Sequence, residues 1–104
     1  MVWNISHGTD RHNEVCASYS HMCQLCEHLA HVLPAREWRV LKPAFGVRTG
    51  DPFEISAKDA GRMAPILRSA AAHRLMPAQF AETARDLADA ADRAAGGRQT
   101  WRWR

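Results

Sequence analysis

Asn13-Glu14-Val15-Cys16-Ala17-Ser18-Tyr19-Ser20-His21-Met22-Cys23-Gln24-Leu25-Cys26-Glu27-His28-Leu29-Ala30-His31-Val32-Leu33 is the stretch on which the fold turns. Its apolar positions Val15, Tyr19, Met22, Cys26, Leu29 and Leu33 are spaced 4, 3, 4, 3 and 4 apart. That spacing lines one face of an α-helix, because 3.6 residues complete a turn. Asn13 suits the N-cap, and Pro34, which has no backbone N–H, cannot continue the helix. The spacing therefore predicts one helix over residues 13–33.

Upstream, Val2-Trp3-Asn4-Ile5-Ser6 alternates large apolar and polar side chains, the period of a strand. His7-Gly8-Thr9-Asp10 then reads as the turn into the helix. Downstream, Pro34 to Leu41 reads as a short second helix with Trp38 and Leu41 inward. Pro43 to Ile55 reads as loop or hairpin, with Phe45 and Val47, then Phe53 and Ile55, alternating about Thr49-Gly50-Asp51-Pro52. Ser56 and Asp59 have capping-box spacing and open a helix to about His73, with Ala60, Met63, Leu67 and Ala71 inward. Pro65 should kink or split it.

Pro77 begins a further helix whose inward face is Phe80, Ala84, Leu87, Ala91 and Ala94, and Gly96-Gly97 should end it. Thr100-Trp101-Arg102-Trp103-Arg104 alternates again and reads as an edge strand. Trp3 and Ile5 at one end, with Trp101 and Trp103 at the other, point to a sheet in which both termini pair. The expected fold is α+β, with three main helices packed on a small, mostly antiparallel sheet that includes the N- and C-terminal strands. Residues 1–104 read as a single compact domain.

The bulk properties fit that picture. The chain has 104 residues, 46% of them hydrophobic and 24% charged, an ordinary globular composition. No apolar run approaches the ~20 residues that span a bilayer, and no signal-peptide pattern opens the chain. Three cysteines cannot pair completely, so the expected setting is the reducing cytoplasm. The formal charge of +3 is unevenly placed. Arg98 to Arg104 carries three arginines and no acid, whereas Glu82 to Asp92 carries four acids and one arginine.

Five of the six histidines and all three cysteines fall between His7 and His31. Cys16, Cys23, Cys26, His28 and His31 are the candidate zinc ligands, since zinc prefers thiolate and imidazole. On one continuous helix, however, Cys16 and Cys23 lie ~10 Å apart along the axis. Cys23 and Cys26 would face the apolar side, with His21 and His28 opposite. The cysteines accordingly read as core residues, with a zinc-stabilised domain as an alternative. Activation of Cys23-Gln24-Leu25-Cys26 as a redox pair would need a helix N-terminus, which a mid-helix position does not supply. His7, Thr9 and Asp10 offer a general base and its orienting groups, with Cys16 as a nucleophile, but the same residues suit an ordinary turn. Catalytic residues are therefore not assigned, and the expectation is a protein that is not an enzyme.

Arg98, Trp101, Arg102, Trp103 and Arg104 form the candidate partner or nucleic-acid surface. Arginine neutralises phosphate and an indole stacks on a base. Strand alternation would instead bury both tryptophans and leave the arginines in solvent. The acidic face Glu82, Asp86 and Asp89 reads as a solvated helix face, partly offset by Arg85 and Arg93.

Trp3-Asn4-Ile5-Ser6-His7-Gly8, Val32-Leu33-Pro34, Gly50-Asp51-Pro52 and Trp101-Arg102-Trp103 together resemble a family of small uncharacterised proteins from actinobacteria. The resemblance covers most of the chain and implies a cytoplasmic bacterial setting, with no activity or catalytic residue to carry over. Small proteins of this kind also travel with phages and other mobile elements, where many bind and block a host protein, an analogy only. The functional expectation is a non-catalytic binding or accessory module acting on a protein partner, as a regulator or inhibitor of a host protein. A nucleic-acid-binding module is the alternative.

Overall fold

The computed structural model describes residues 2–7, 10–45 and 52–104, for residues 2, 7 and 10–14 the backbone alone. The elements run β1 (Val2–His7), β2 (Asp10–Ser18), α1 (Tyr19–Val32), α2 (Ala35–Phe45), β3 (Phe53–Ile55), α3 (Ala57–Ala71), α4 (Ala78–Gly96) and β4 (Trp101–Trp103). The four strands form one sheet in the order β2-β1-β4-β3, with every neighbouring pair antiparallel. This is the α+β arrangement expected from the sequence, with both terminal strands in the sheet.

The predicted helix over 13–33 is corrected at its start. Residues up to Ser18 are strand, registered on β1 through Trp3↔Ala17, Asn4↔Cys16 and Ile5↔Val15. Val15 and Ala17 are half-buried while Cys16 and Ser18 are exposed, a two-residue period. Ser18, not Asn13, is the N-cap of α1, its Oγ accepting the His21 backbone N–H at 3.0 Å. Val15 satisfied the helical spacing by coincidence, because a residue four before Tyr19 fits either period.

Both internal prolines sit inside unbroken helices. Pro43 lies within α2, so Pro43–Phe45 are helix and not the start of a hairpin. Val47 lies outside the described residues, while Phe53 to Ile55 is strand as expected. Pro65 neither ends nor splits α3. A proline within a helix costs about 3 kcal/mol. In each case the helix buries apolar side chains beyond the proline, Ala44 and Phe45 in α2, Leu67, Ala70 and Ala71 in α3, and each deeply buried large side chain returns about 1.5–3 kcal/mol.

The helices cover the inner face of the sheet, where Trp3, Ile5, Ile55, Trp101 and Trp103 are buried. Trp103 is the hub: its ring lies 5.3 Å from Phe53, 5.2 Å from Phe45, 5.2 Å from Trp101 and 5.8 Å from Trp3. β4 is a central strand between β1 and β3, which corrects the expected edge position.

α3 and α4 pack as a close, alanine-lined hairpin. Small side chains (Ala60, Ala64, Ala84, Ala88 and Ala91) are fully buried. A Cβ added to Gly61 would meet the Ala95 Cβ at 3.2 Å. Arg68 of α3 ties the outer side of the hairpin to α4, pairing with Asp89 at 2.8 Å and with Asp92. The hydrogen bonds from Arg68 to Asp92 and then Asp89 hold its guanidinium above the ordinary arginine value.

α4 ends at Gly96 with Gly97 as its C-cap, the stop expected from Gly96-Gly97. Gly97 is in an ordinary conformation, and the left-handed residue is Arg98, at φ 53°. Arg98 N–H donates to the Ala95 carbonyl at 3.1 Å and Gln99 N–H to the Ala94 carbonyl at 2.8 Å. These are the paired 5→2 and 6→1 bonds of a Schellman motif, with arginine where glycine is usual.

Candidate functional site

Strand alternation divides the C-terminal segment between core and solvent. Trp101 and Trp103 are 0% and 1% exposed, whereas Arg102 is half-buried and Arg104 exposed on the opposite, outer face of the sheet. Neither indole is open to a base. The arginines are what the segment presents.

Directly opposite residues of an antiparallel pair point to the same face. Ser6, Arg102 and Glu54 are therefore a row across β1, β4 and β3. The Arg102 Nε lies 3.1 Å from Glu54 Oε1. Asn4 and Arg104 make the next row, exchanging backbone hydrogen bonds at 2.7 and 2.9 Å that prolong the ladder past β4. Cys16 follows on β2, its Sγ donating to Asn4 Oδ1 at 3.3 Å. Arg104 has no ion-pair partner among the described residues. A cleft of about 290 Å³ opens beside it, lined by Pro52, Phe53, Glu54, Arg102 and Arg104. Arg98 stands apart from this row, in the turn that caps α4.

The cysteines do not gather. Cys16 is exposed on β2, Cys23 is exposed on α1, and Cys26 is buried. Cys23 was expected on the apolar side with Cys26; three residues advance a helix by 300°, enough to carry it into solvent. Among the described residues no group of three or more His, Cys, Asp and Glu side chains is placed to hold a metal ion.

His21 and His28 also depart from expectation, being half-buried and not on an open polar face. Their rings lie 4.9 and 4.8 Å from the Phe80 ring of α4, one on each side of two turns of α1. His21 Nε2 is 2.8 Å from Thr83 Oγ1, which itself donates to the Gln79 carbonyl at 3.3 Å. Both bonds hold together when Nε2 carries the proton, since the hydroxyl has only one to give. These histidines join α1 to α4. His31 is exposed at the end of α1.

Of the turn residues His7 to Asp10, Gly8 and Thr9 lie outside the described residues. The backbones of His7 and Asp10 are paired across the hairpin. Cys16 pairs with Asn4, three residues along β1 from His7, about 10 Å at the rise of a strand, the register shift between Ile5 and His7 taking up the extra residues of β2. The side chains of His7 and Asp10 lie outside the described residues.

A second concave surface was not foreseen. Arg39, Val40 and Pro43 of α2 face Asp59, Arg62 and Met63 of α3 across a cleft of about 350 Å³. Its residues share a face on each helix at i, i+1, i+4 and i, i+3, i+4, but which faces meet depends on tertiary packing.

No helix among the described residues is long and apolar enough to cross a membrane. Fold and surface together define a small α+β domain with a tryptophan-centred core and a polar outer sheet face. The chain belongs to the family described as Domain of unknown function (DUF7739), whose model matches residues 8–104. This agrees with the resemblance to an uncharacterised family. No match was found among curated proteins or among solved structures.

Proposed function

We propose that this domain is a non-catalytic binding module whose partner is a protein, engaged through the outer face of the sheet. The observation that carries the reading is the division of β4. Its tryptophans anchor the strand in the core while Arg102 and Arg104 stand on the outer face beside a cleft. A central strand held by an aromatic core is a rigid platform, and rigid placement lowers the entropy lost on binding. Guanidinium groups pair with carboxylates in forked geometry, so an acidic protein surface is the matching partner. Buried indoles leave no base-stacking platform in this segment, which favours a protein over nucleic acid. The proposed setting is cytoplasmic, bacterial and actinobacterial, on the motif resemblance, with regulation or inhibition of a host protein as the proposed role.

The experiment is capture with the wild-type chain and with Arg102→Glu/Arg104→Glu, after circular dichroism shows that both fold alike. A specific protein retained by wild type and lost by the variant supports the reading. Saturable binding of single-stranded DNA or RNA, weakening steeply with salt and lost in the same variant, would move the assignment to nucleic acid.

A further inference from the structure

We infer that the cleft between α2 and α3 is a second docking site, which takes a short acidic segment of a protein bearing an aliphatic side chain. It lies in the helical layer and does not depend on the Arg102 and Arg104 surface.

The apolar lining of the cleft is Val40, Pro43 and Met63. The rest of its lining is charged. Arg39 has no ion-pair partner among the described residues. Arg62 has only a 4.0 Å contact with Asp59, both side chains being more than half exposed at 64% and 55%. A pair so long and so open contributes little, so Arg62 remains available to a better-placed carboxylate. The charged residues that line the cleft are Arg39 and Arg62, two cations against the single carboxylate of Asp59.

This combination selects its occupant. A volume of about 350 Å³ is at the small end of ligand sites and fits one or two side chains rather than a folded surface. Carboxylates meet Arg39 and Arg62 in forked geometry, while an aliphatic side chain between them covers Val40, Pro43 and Met63. A polyphosphate would satisfy the arginines but leave the apolar lining uncovered. No aromatic ring lines the cleft to stack on a base.

The test uses the full chain and fluorescein-labelled nonapeptides that alternate Glu with Leu, followed by fluorescence anisotropy. Control peptides replace Glu by Lys or Leu by Ser. Saturable binding of the Glu/Leu peptide is expected, and both control peptides should bind less tightly. Arg39→Glu/Arg62→Glu should weaken binding about tenfold or more, and Arg39→Gln/Arg62→Gln should weaken it less. Arg102→Glu/Arg104→Glu should leave it unchanged, so failure of the sheet-face reading and failure of this one are separable. All four positions are at least partly exposed, and melting curves verify that the variants fold.

The inference is overturned if no saturable binding occurs, if the Leu→Ser peptide binds equally well, or if the cleft variants bind like wild type. It is likewise overturned if sedimentation shows a dimer that the cleft variants dissociate, which would assign this face to a second copy of the chain.

Discussion

The Trp103 indole meets the Phe45 ring edge-on, their centroids 5.2 Å apart and their planes at 86°. One residue belongs to the central strand of the sheet and the other to the last turn of α2, beyond its proline. This contact couples the C-terminal strand to a helix that local sequence rules would have ended earlier.

Trp103→Ala should therefore cost about 3–5 kcal/mol, the range for emptying a buried aromatic site. Deleting residues 101–104 should do more, because it removes the strand that joins β1 to β3. Urea unfolding followed by circular dichroism checks both: a lowered midpoint for the substitution, and no cooperative transition for the deletion. A deletion that melts like wild type would contradict the central position of β4.

The aromatic alternation of both termini was legible because strand period and core side chains agree there. The inward faces of α3 and α4 were legible for the same reason. Residues 13–18 were not, since Val15 suits either period and pairing with Trp3 and Ile5 decides between them. The prolines misled because Phe45 and Leu67 are rewarded by tertiary contacts that no local rule contains. As for the surfaces, Arg102 and Arg104 could be picked out, but their neighbour Glu54 depends on strand register. The cleft at Arg39 and Arg62 depends on how two helices meet.

Arg98 in the left-handed region carries a cost that glycine avoids, typically about 1 kcal/mol. Arg98→Gly should raise stability by about that amount while keeping the Ala94 and Ala95 hydrogen bonds of the cap. Arg98→Ala should give no such gain, as alanine carries the same Cβ. Denaturation midpoints of the three proteins decide the matter, and equal midpoints for Gly and Arg would argue against a left-handed residue at this position.

Gly61 sits where α3 approaches α4 most tightly among the described glycines, with 3.2 Å from an added Cβ to the Ala95 Cβ. Gly61→Ala gains up to about 1 kcal/mol of helix propensity and loses a comparable amount to that close contact. A change within about 1 kcal/mol of zero is expected. Gly61→Leu has no room to offset its bulk, and should cost about 1–3 kcal/mol or more through helix separation. Calorimetry on the two variants distinguishes these outcomes. A leucine tolerated without loss would mean that the hairpin is looser than this contact implies.

The cysteines give the last prediction. Cys16 and Cys23 are exposed and Cys26 is buried, so a thiol reagent should modify two cysteines per native chain and the third only after unfolding. Peptide mapping after mild labelling should find the modification on Cys16 and Cys23. Because Cys16 sits on a strand, Cys23 on the outside of α1 and Cys26 in the core, no tetrahedral site can draw on all three without remaking the fold. Treatment with a chelator should accordingly leave the melting temperature unchanged. Protection of Cys23 together with Cys26, one zinc per chain and a fall in melting temperature on chelation would show that α1 begins later than Tyr19 and that the segment folds around a metal.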